Sequence, residues 1–155
     1  MSTLYLVSTP IGNKLDISLR AERVLSSVDM ILCEDTKKSG ILLKDLGIKN
    51  KLLSYHDHTN DFKINYFLEL LKKGTSLAII SDAGTPLISD PGYELVSKAI
   101  DEKIKVTPIP GPSSVISALV SSGLSTGSFV FEGYAPKKNS QLEAFLKNFQ
   151  YEKRT

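Results

Sequence analysis

Five short apolar runs, each followed by a loop and then by a stretch of helical periodicity, constrain this chain more than any other feature in it. They are Thr3-Leu4-Tyr5-Leu6-Val7-Ser8, Asp29 to Cys33, the weaker Lys51-Leu52-Leu53-Ser54, Ser76-Leu77-Ala78-Ile79-Ile80, and Lys105-Val106-Thr107-Pro108-Ile109. Strands that alternate with helices pair in parallel, because the helix carries the chain back to the end where the next strand starts. A sheet covered on both faces has unbroken apolar strands rather than alternating ones. The expectation is an α/β fold, a mainly parallel five-stranded sheet with helices on both faces.

The helices follow from spacing and punctuation. From Ser18, the residues Leu19, Val24, Leu25 and Val28 share one face, with Arg20, Glu22 and Arg23 on the other, and Asp16 or Ser18 can cap. A basic helix runs from Lys37 to Leu46 and stops at Gly47. An amphipathic one runs from Asn60 to Lys73, with Ile64, Phe67, Leu68 and Leu71 inward and Gly74 as its stop. Tyr93 to Ile100 has Asp90 as cap and Pro91 at the first helical position, and a small-residue helix spans Val115 to Ser122. Phe129 to Tyr134 reads as one further strand. Composition then changes at Ala135-Pro136-Lys137-Lys138, a last helix covers Gln141 to Phe149, and the end from Tyr151 is polar. Residues 1–124 are therefore read as one domain and 125–155 as a linker with the start of a truncated second α/β domain.

The loops are as informative as the elements. Ser81-Asp82-Ala83-Gly84-Thr85-Pro86-Leu87-Ile88-Ser89-Asp90-Pro91-Gly92 joins a strand to a helix, where about two to six residues are usual. In a parallel sheet it falls on the same edge as the Pro10–Asn13 turn, Glu34–Thr36, Tyr55–His58 and Pro110–Ser114. That carboxyl edge is where open α/β sheets hold ligands. No G-x-x-x-x-G-K-[ST] and no G-x-G-x-x-G follows the first strand, which argues against a P-loop or the usual dinucleotide site. Loops of Pro, Gly, Ser and Thr, without lysine at a helix start, suit backbone groups holding a neutral adenosine and a zwitterionic amino acid better than a polyphosphate.

Composition sets the outer limits. The chain has 155 residues, 41% hydrophobic and 23% charged, and a formal charge of +2, enough for one real core. That charge permits a nucleic-acid partner without arguing for one, since binding needs a clustered basic face. The single cysteine, Cys33, cannot form an internal disulfide and reads as a buried strand thiol. With no signal peptide and no apolar run long enough to span a bilayer, the expected location is the cytoplasm.

Individual side chains carry two readings each. Asp90 reads first as a helix cap. Asp82 has no capping role visible in the sequence and reads as functional. Glu34 and Asp35 can bind a ribose or act as a base, or Asp35 can cap the next helix. Lys37 and Lys38 are a solvated face or an RNA-phosphate contact. His56 is a candidate substrate contact and His58 a loop residue. A zinc site on the two histidines lacks further ligands nearby, so no metal is expected.

The ordered set Leu4-Tyr5-Leu6-Val7-Ser8-Thr9-Pro10-Ile11-Gly12-Asn13, Cys33-Glu34-Asp35-Thr36, Ser54-Tyr55-His56, Ser81 to Pro86 with Ser89-Asp90-Pro91-Gly92, Pro108-Ile109-Pro110-Gly111-Pro112-Ser113, and Phe131-Glu132-Gly133-Tyr134 resembles a known family. It is similar to the bacterial 16S rRNA (cytidine-2′-O)-methyltransferases, a branch of the tetrapyrrole methylase superfamily, from Leu4 to about Lys138. The resemblance implies S-adenosylmethionine as methyl donor, bound in a cleft between two α/β domains of a homodimer, with 16S rRNA or the small ribosomal subunit as partner. Carried over, the cofactor-binding residues are Pro10, Gly12, Ser81, Asp82, Ala83, Gly84, Thr85, Pro86, Ile88, Ser113 and Ser114. The substrate side falls to Asn13, Lys37, Lys38 and His56, and the base or orienting acceptor to Asp82, Glu34 or Asp35. Lys37-Lys38 stands where relatives often have arginine, which keeps the charge and loses bidentate geometry. Relatives continue through a second domain. Two rival readings are methylation of a corrin-like precursor and a folded cofactor-binding domain unable to catalyse alone.

Overall fold

A computed structural model describes residues 2–56 and 59–155. The five expected strands are present: β1 (Thr3–Val7), β2 (Met30–Cys33), β3 (Leu52–Ser54), β4 (Leu77–Ile80) and β5 (Lys105–Ile109). They form one sheet in the order β3-β2-β4-β1-β5, with every pairing parallel. β4 lies at the centre, and each of its four residues is buried. The fold is α/β.

Helices α1 (Leu19–Ser27), α2 (Thr36–Asp45), α3 (Asp61–Lys72) and α4 (Tyr93–Asp101) connect the strands. On one face Ala21, Leu25 and Leu43 of α1 and α2 pack with Val7, Ile31, Ala78 and Ile80. On the other, Ile64, Phe67, Leu68 and Leu71 of α3 and Leu95, Val96 and Ala99 of α4 pack with Leu4, Leu32, Leu77 and Ile79. Phe67 is fully buried, which contributes on the order of 1.5–3 kcal/mol. β1 and β2 therefore hand the chain to one face and β4 to the other, so crevices of the switch-point type flank β4 on both sides.

Capping explains most boundaries. Ser18 Oγ accepts from Ala21 N and starts α1, while Asp16 falls in a 3-10 turn, Lys14–Asp16, capped by Asn13. Asn60 accepts from Lys63 N at the head of α3. The α4 start differs from expectation. The helix begins at Tyr93 behind Gly92, with no side-chain cap, so Asp90 and Pro91 are not its cap and first residue. Gly92 has φ +134°, and a Cβ there would sit 2.9 Å from Leu87 Cδ1. A glycine turn, rather than a polar cap, sets this helix start.

Residues up to Ser113 form one compact unit and Ser114–Thr155 another. α5 (Ser114–Ser121) and α6 (Asn139–Lys147) both belong to the second unit. The expected strand at Phe129–Tyr134 does not form. A strand needs a neighbouring ladder, and the backbone bonds found for this stretch run to one residue: Val130 N donates to Thr155 O at 2.7 Å, and Thr155 N to Ser128 O at 3.2 Å. No residue of 114–155 is buried. No described helix is long and apolar enough to cross a membrane.

Candidate functional site

Three of the carboxyl-edge loops are stitched together. Thr9 N donates to Gly84 O at 2.9 Å and Gly84 N returns to Thr9 O at 3.0 Å, an antiparallel bridge between the loops after β1 and β4. Thr9 Oγ1 donates to Ser81 O at 3.1 Å, and Ser81 Oγ to Gly84 O at 3.2 Å. The Ser8 and Thr85 hydroxyls lie 3.1 Å apart, and Thr85 Oγ1 donates to Pro112 O at 3.2 Å, which brings in the loop after β5. Gly111 completes the seam, since a Cβ there would lie 2.9 Å from Ser8 Cβ. Ser8, Thr9 and Ser81 are buried polar residues whose hydroxyls are used to hold these loops, as buried polar groups must be.

Along this seam Ile11, Gly12, Ala83 and Gly111 remain exposed, while Gly84 and Pro86 are buried and Pro10, Thr85 and Ser113 half-buried. The seam thus offers backbone groups and small side chains, and no lysine or arginine belongs to it. Gly84 has φ +87°, a left-handed value that glycine accepts freely. Beyond it Leu87 (φ 72°) and Ser89 (φ 59°) also adopt left-handed backbone, with Ile88 exposed between them. Non-glycine residues held this way cost of order 1–3 kcal/mol each and concentrate at ligand-binding turns.

Asp82 faces the other way, toward β2. Lys38 Nζ, from the first turn of α2, donates to Asp82 Oδ2 at 2.8 Å. Asp82 Oδ1 is buried and has no hydrogen-bond partner among the described residues. That pairing, chiefly through the hydrogen bond, raises the Lys38 ammonium above the usual lysine value. Asp35 Oδ1 accepts from Lys37 N at 2.7 Å and Lys38 N at 3.2 Å, so its carboxylate caps α2 and is held below the usual range by those bonds. Glu34 is exposed beside it. Cys33 is buried; burial pushes its thiol up, a hydrogen bond with Ser39 opposes this, and the Asp82 and Asp35 charges add to the rise. The crevice between the ends of β2 and β4, lined by Cys33, Glu34, Tyr55, Ser81 and Pro91, has no room for a water molecule.

The structure therefore divides the sequence-derived candidates. Ser81, Gly84 and Thr85 join the β1 and β5 loops, while Asp82, Lys38, Asp35 and Glu34 gather on the β2 side. Asn13 is exposed and its side chain accepts from Leu15 N. Lys37 is exposed at the head of α2. His56 is exposed, and its backbone N–H donates to Thr59 Oγ1 at 2.9 Å. His58 lies outside the described residues. Ser114 begins α5 in the second unit. Ser8, Thr9 and Gly111 stand in the stretches that carry the family resemblance, but sequence reasoning names none of them as a site residue. A hydroxyl pair at the end of a buried strand, opposite a glycine-bearing loop, was the available signal.

A family model described as Tetrapyrrole (Corrin/Porphyrin) Methylases matches residues 3–151. Among curated proteins, "Ribosomal RNA small subunit methyltransferase I" of Haemophilus influenzae is 46% identical over 98% of this chain and 54% of its own length. The protein of the same name from Mesorhizobium japonicum is 50% identical over 89% of this chain and 47% of its own. That from Synechocystis is 46% identical over 100% of this chain and 56% of its own. The chain thus spans about half the length of these relatives. Among solved structures, uroporphyrin-III-C-methyltransferase from Thermus thermophilus superposes with a TM-score of 0.59 at 24% identity, over 81% of this chain and 53% of that one, a likeness of fold. With the matched model running from the first strand to beyond the last helix, and relatives near half identical over nearly the whole chain, this chain belongs to the tetrapyrrole (corrin/porphyrin) methylase family.

Proposed function

We propose that this chain is the cofactor-holding part of an S-adenosylmethionine-dependent methyltransferase that modifies the 2′-hydroxyl of a cytidine in 16S rRNA. The names of its relatives support the class of substrate. The observation that carries the cofactor reading is the stitched seam of Ser8, Thr9, Gly84, Thr85 and Gly111, with exposed backbone at Gly12 and Ala83 and no cationic side chain. Such a surface fits a neutral adenosyl group and a zwitterionic amino acid. In this reading residues 1–124 form the cofactor-binding domain, 125–155 lead into a second domain, the active form is a homodimer, and the protein works in the cytoplasm.

When bound, S-adenosylmethionine would supply a methyl group activated by its sulfonium. The chain's own contribution is orientation and charge. A rigid seam that fixes the cofactor's position lets proximity contribute up to roughly 7–11 kcal/mol toward the barrier. A ribose hydroxyl is a weak nucleophile, so an acceptor for its proton helps. Asp82, two residues before Gly84, is the carboxylate offered for that role: one oxygen is held by Lys38 and, among the described residues, the other has no donor. Asp35 is engaged as a cap, and Glu34 stands exposed in solvent. Lys37, exposed at the head of α2, is the cation this reading offers to an approaching phosphate backbone.

Two measurements test this. Calorimetric titration should find saturable binding of S-adenosylmethionine to the chain; none up to about 1 mM would remove the seam as its site. In the full chain, Asp82→Asn should lower kcat by about 10²–10⁴ with the melting temperature kept. Unchanged kcat would take Asp82 out of the mechanism.

A further inference from the structure

The Lys38–Asp82 pair asks for an explanation that neither helix formation nor stability supplies. Lys38 lies 44 residues from Asp82 in sequence, and its ammonium crosses from α2 to the loop after β4 to reach Oδ2 at 2.8 Å. With the two side chains 67% and 24% exposed, such a pair adds little to folding. Its consequence is geometric. A carboxylate held at one oxygen cannot rotate freely, and here the held orientation leaves Oδ1 buried and, among the described residues, without a donor. An unsatisfied buried acceptor is unfavourable and is relieved only when something donates to it. Glu34 and Asp35 reinforce the attraction on the same ammonium.

We propose that Lys38 is a positioning residue. It fixes Asp82 by Oδ2 so that Oδ1, closed to solvent in the ligand-free chain, is the acceptor left for a hydroxyl donor of the methyl-accepting ligand, on the β2 side of β4. The proposal rests on the methyltransferase reading and assigns Lys38 a role that acts through Asp82 rather than through RNA phosphate. It separates the molecule's two tasks: the seam between β1, β4 and β5 holds the methyl donor, and the Lys38–Asp82 couple serves the acceptor.

The test compares Lys38→Met, Lys38→Arg, Asp82→Asn and the Lys38→Met/Asp82→Asn pair in the full chain, with small-subunit rRNA and S-adenosylmethionine. Lys38→Met should lower kcat about tenfold or more while the Kd for S-adenosylmethionine stays within about twofold. Lys38→Arg should recover most of the rate. In the Asp82→Asn background, Lys38→Met should cause no further loss, because coupled groups are not additive. In the ligand-free protein, carbon-13 NMR of the Lys38 side chain should show a titration above the ordinary lysine range that returns toward it in Asp82→Asn. A kcat equal to wild type in Lys38→Met overturns the proposal. So does a raised KM for rRNA with a salt slope reduced by about one and kcat unchanged, the pattern of a phosphate contact. Losses in the two single variants that simply add would also overturn it. If the wild-type chain transfers no methyl group, it is the methyltransferase reading that fails; a Lys38 titration that does not move in Asp82→Asn shows that the pair does not form and overturns the positioning proposal by itself.

Discussion

Thr9 and Gly84 exchange both of their backbone hydrogen bonds, at 2.9 and 3.0 Å, and so join the loop after β1 to the loop after β4 as a two-residue antiparallel bridge on an otherwise parallel sheet. Everything assigned to the methyl donor hangs on that join. Thr9 Oγ1 reaches back to Ser81 O, and Ser8 meets Thr85 on the next residue out.

Gly84 is where this join can be broken with one methyl group. At φ +87° an added Cβ is strained, and it would lie 3.4 Å from Ile11 Cγ2. Gly84→Ala should cost about 1–2 kcal/mol, or roughly 2–8 °C in Tm for a chain of this size, and should weaken S-adenosylmethionine binding. Gly40 makes the opposite comparison. It lies inside α2 with its nearest neighbour, Leu52 Cδ1, at an ordinary 3.8 Å. Gly40→Ala should stabilise the chain by about 0.5–1 kcal/mol and leave binding alone. Thermal melts and calorimetry on the two variants check both signs.

Asp35 gives a pH dependence. Its carboxylate is held below the usual value, first by the Lys38 and Lys37 backbone N–H groups. A depressed carboxylate stabilises the fold above its unfolded pKa, about 3.9. That contribution disappears as pH falls through the lower folded value. Asp35→Asn keeps a capping side chain and removes the charge. The wild type should therefore melt higher than Asp35→Asn at pH 7, and the two should converge as pH drops from about 4 downward. A gap that persists in acid would contradict the capping account.

Cys33 should be inert. It is 1% exposed, and burial is the main reason its thiol lies above the ordinary value. Reaction needs the thiolate and access to it, so iodoacetamide at pH 8 should modify Cys33 only on the timescale of unfolding, and rapidly in denaturant. Fast alkylation of the native protein would show that the β2 end opens.

Much of this architecture was legible in sequence because it depends on periodicity. Ile64, Phe67, Leu68 and Leu71 recur at helical spacing and are all buried, and the apolar runs at Leu77–Ile80 and Met30–Cys33 became strands. Strand order was not legible, since it places β1 beside β4 and β5 rather than beside its sequence neighbour β2. Local punctuation misled at Asp90-Pro91, where Gly92 makes the turn through its own φ and its contact with Leu87. Phe129 to Tyr134 had the composition of a strand, but pairing is decided by neighbours that no local pattern reveals. At the site, the loops after each strand were legible as a set. The division within one of them was not: Ser81, Gly84 and Thr85 turn to β1 and β5, and Asp82 turns to α2. That division depends on contacts far apart in sequence.

The most direct measurement is transfer of labelled methyl from S-adenosylmethionine by the full chain, offered small-subunit rRNA and a corrinoid precursor side by side, with the labelled RNA digested in alkali. A 2′-O-methyl group blocks alkaline cleavage at its own nucleotide. The account predicts label in 16S rRNA, recovered in a single alkali-resistant dinucleotide led by cytidine, and lost in Asp82→Asn. Label in the corrinoid alone, or in an RNA base that alkali releases as a mononucleotide, would contradict it.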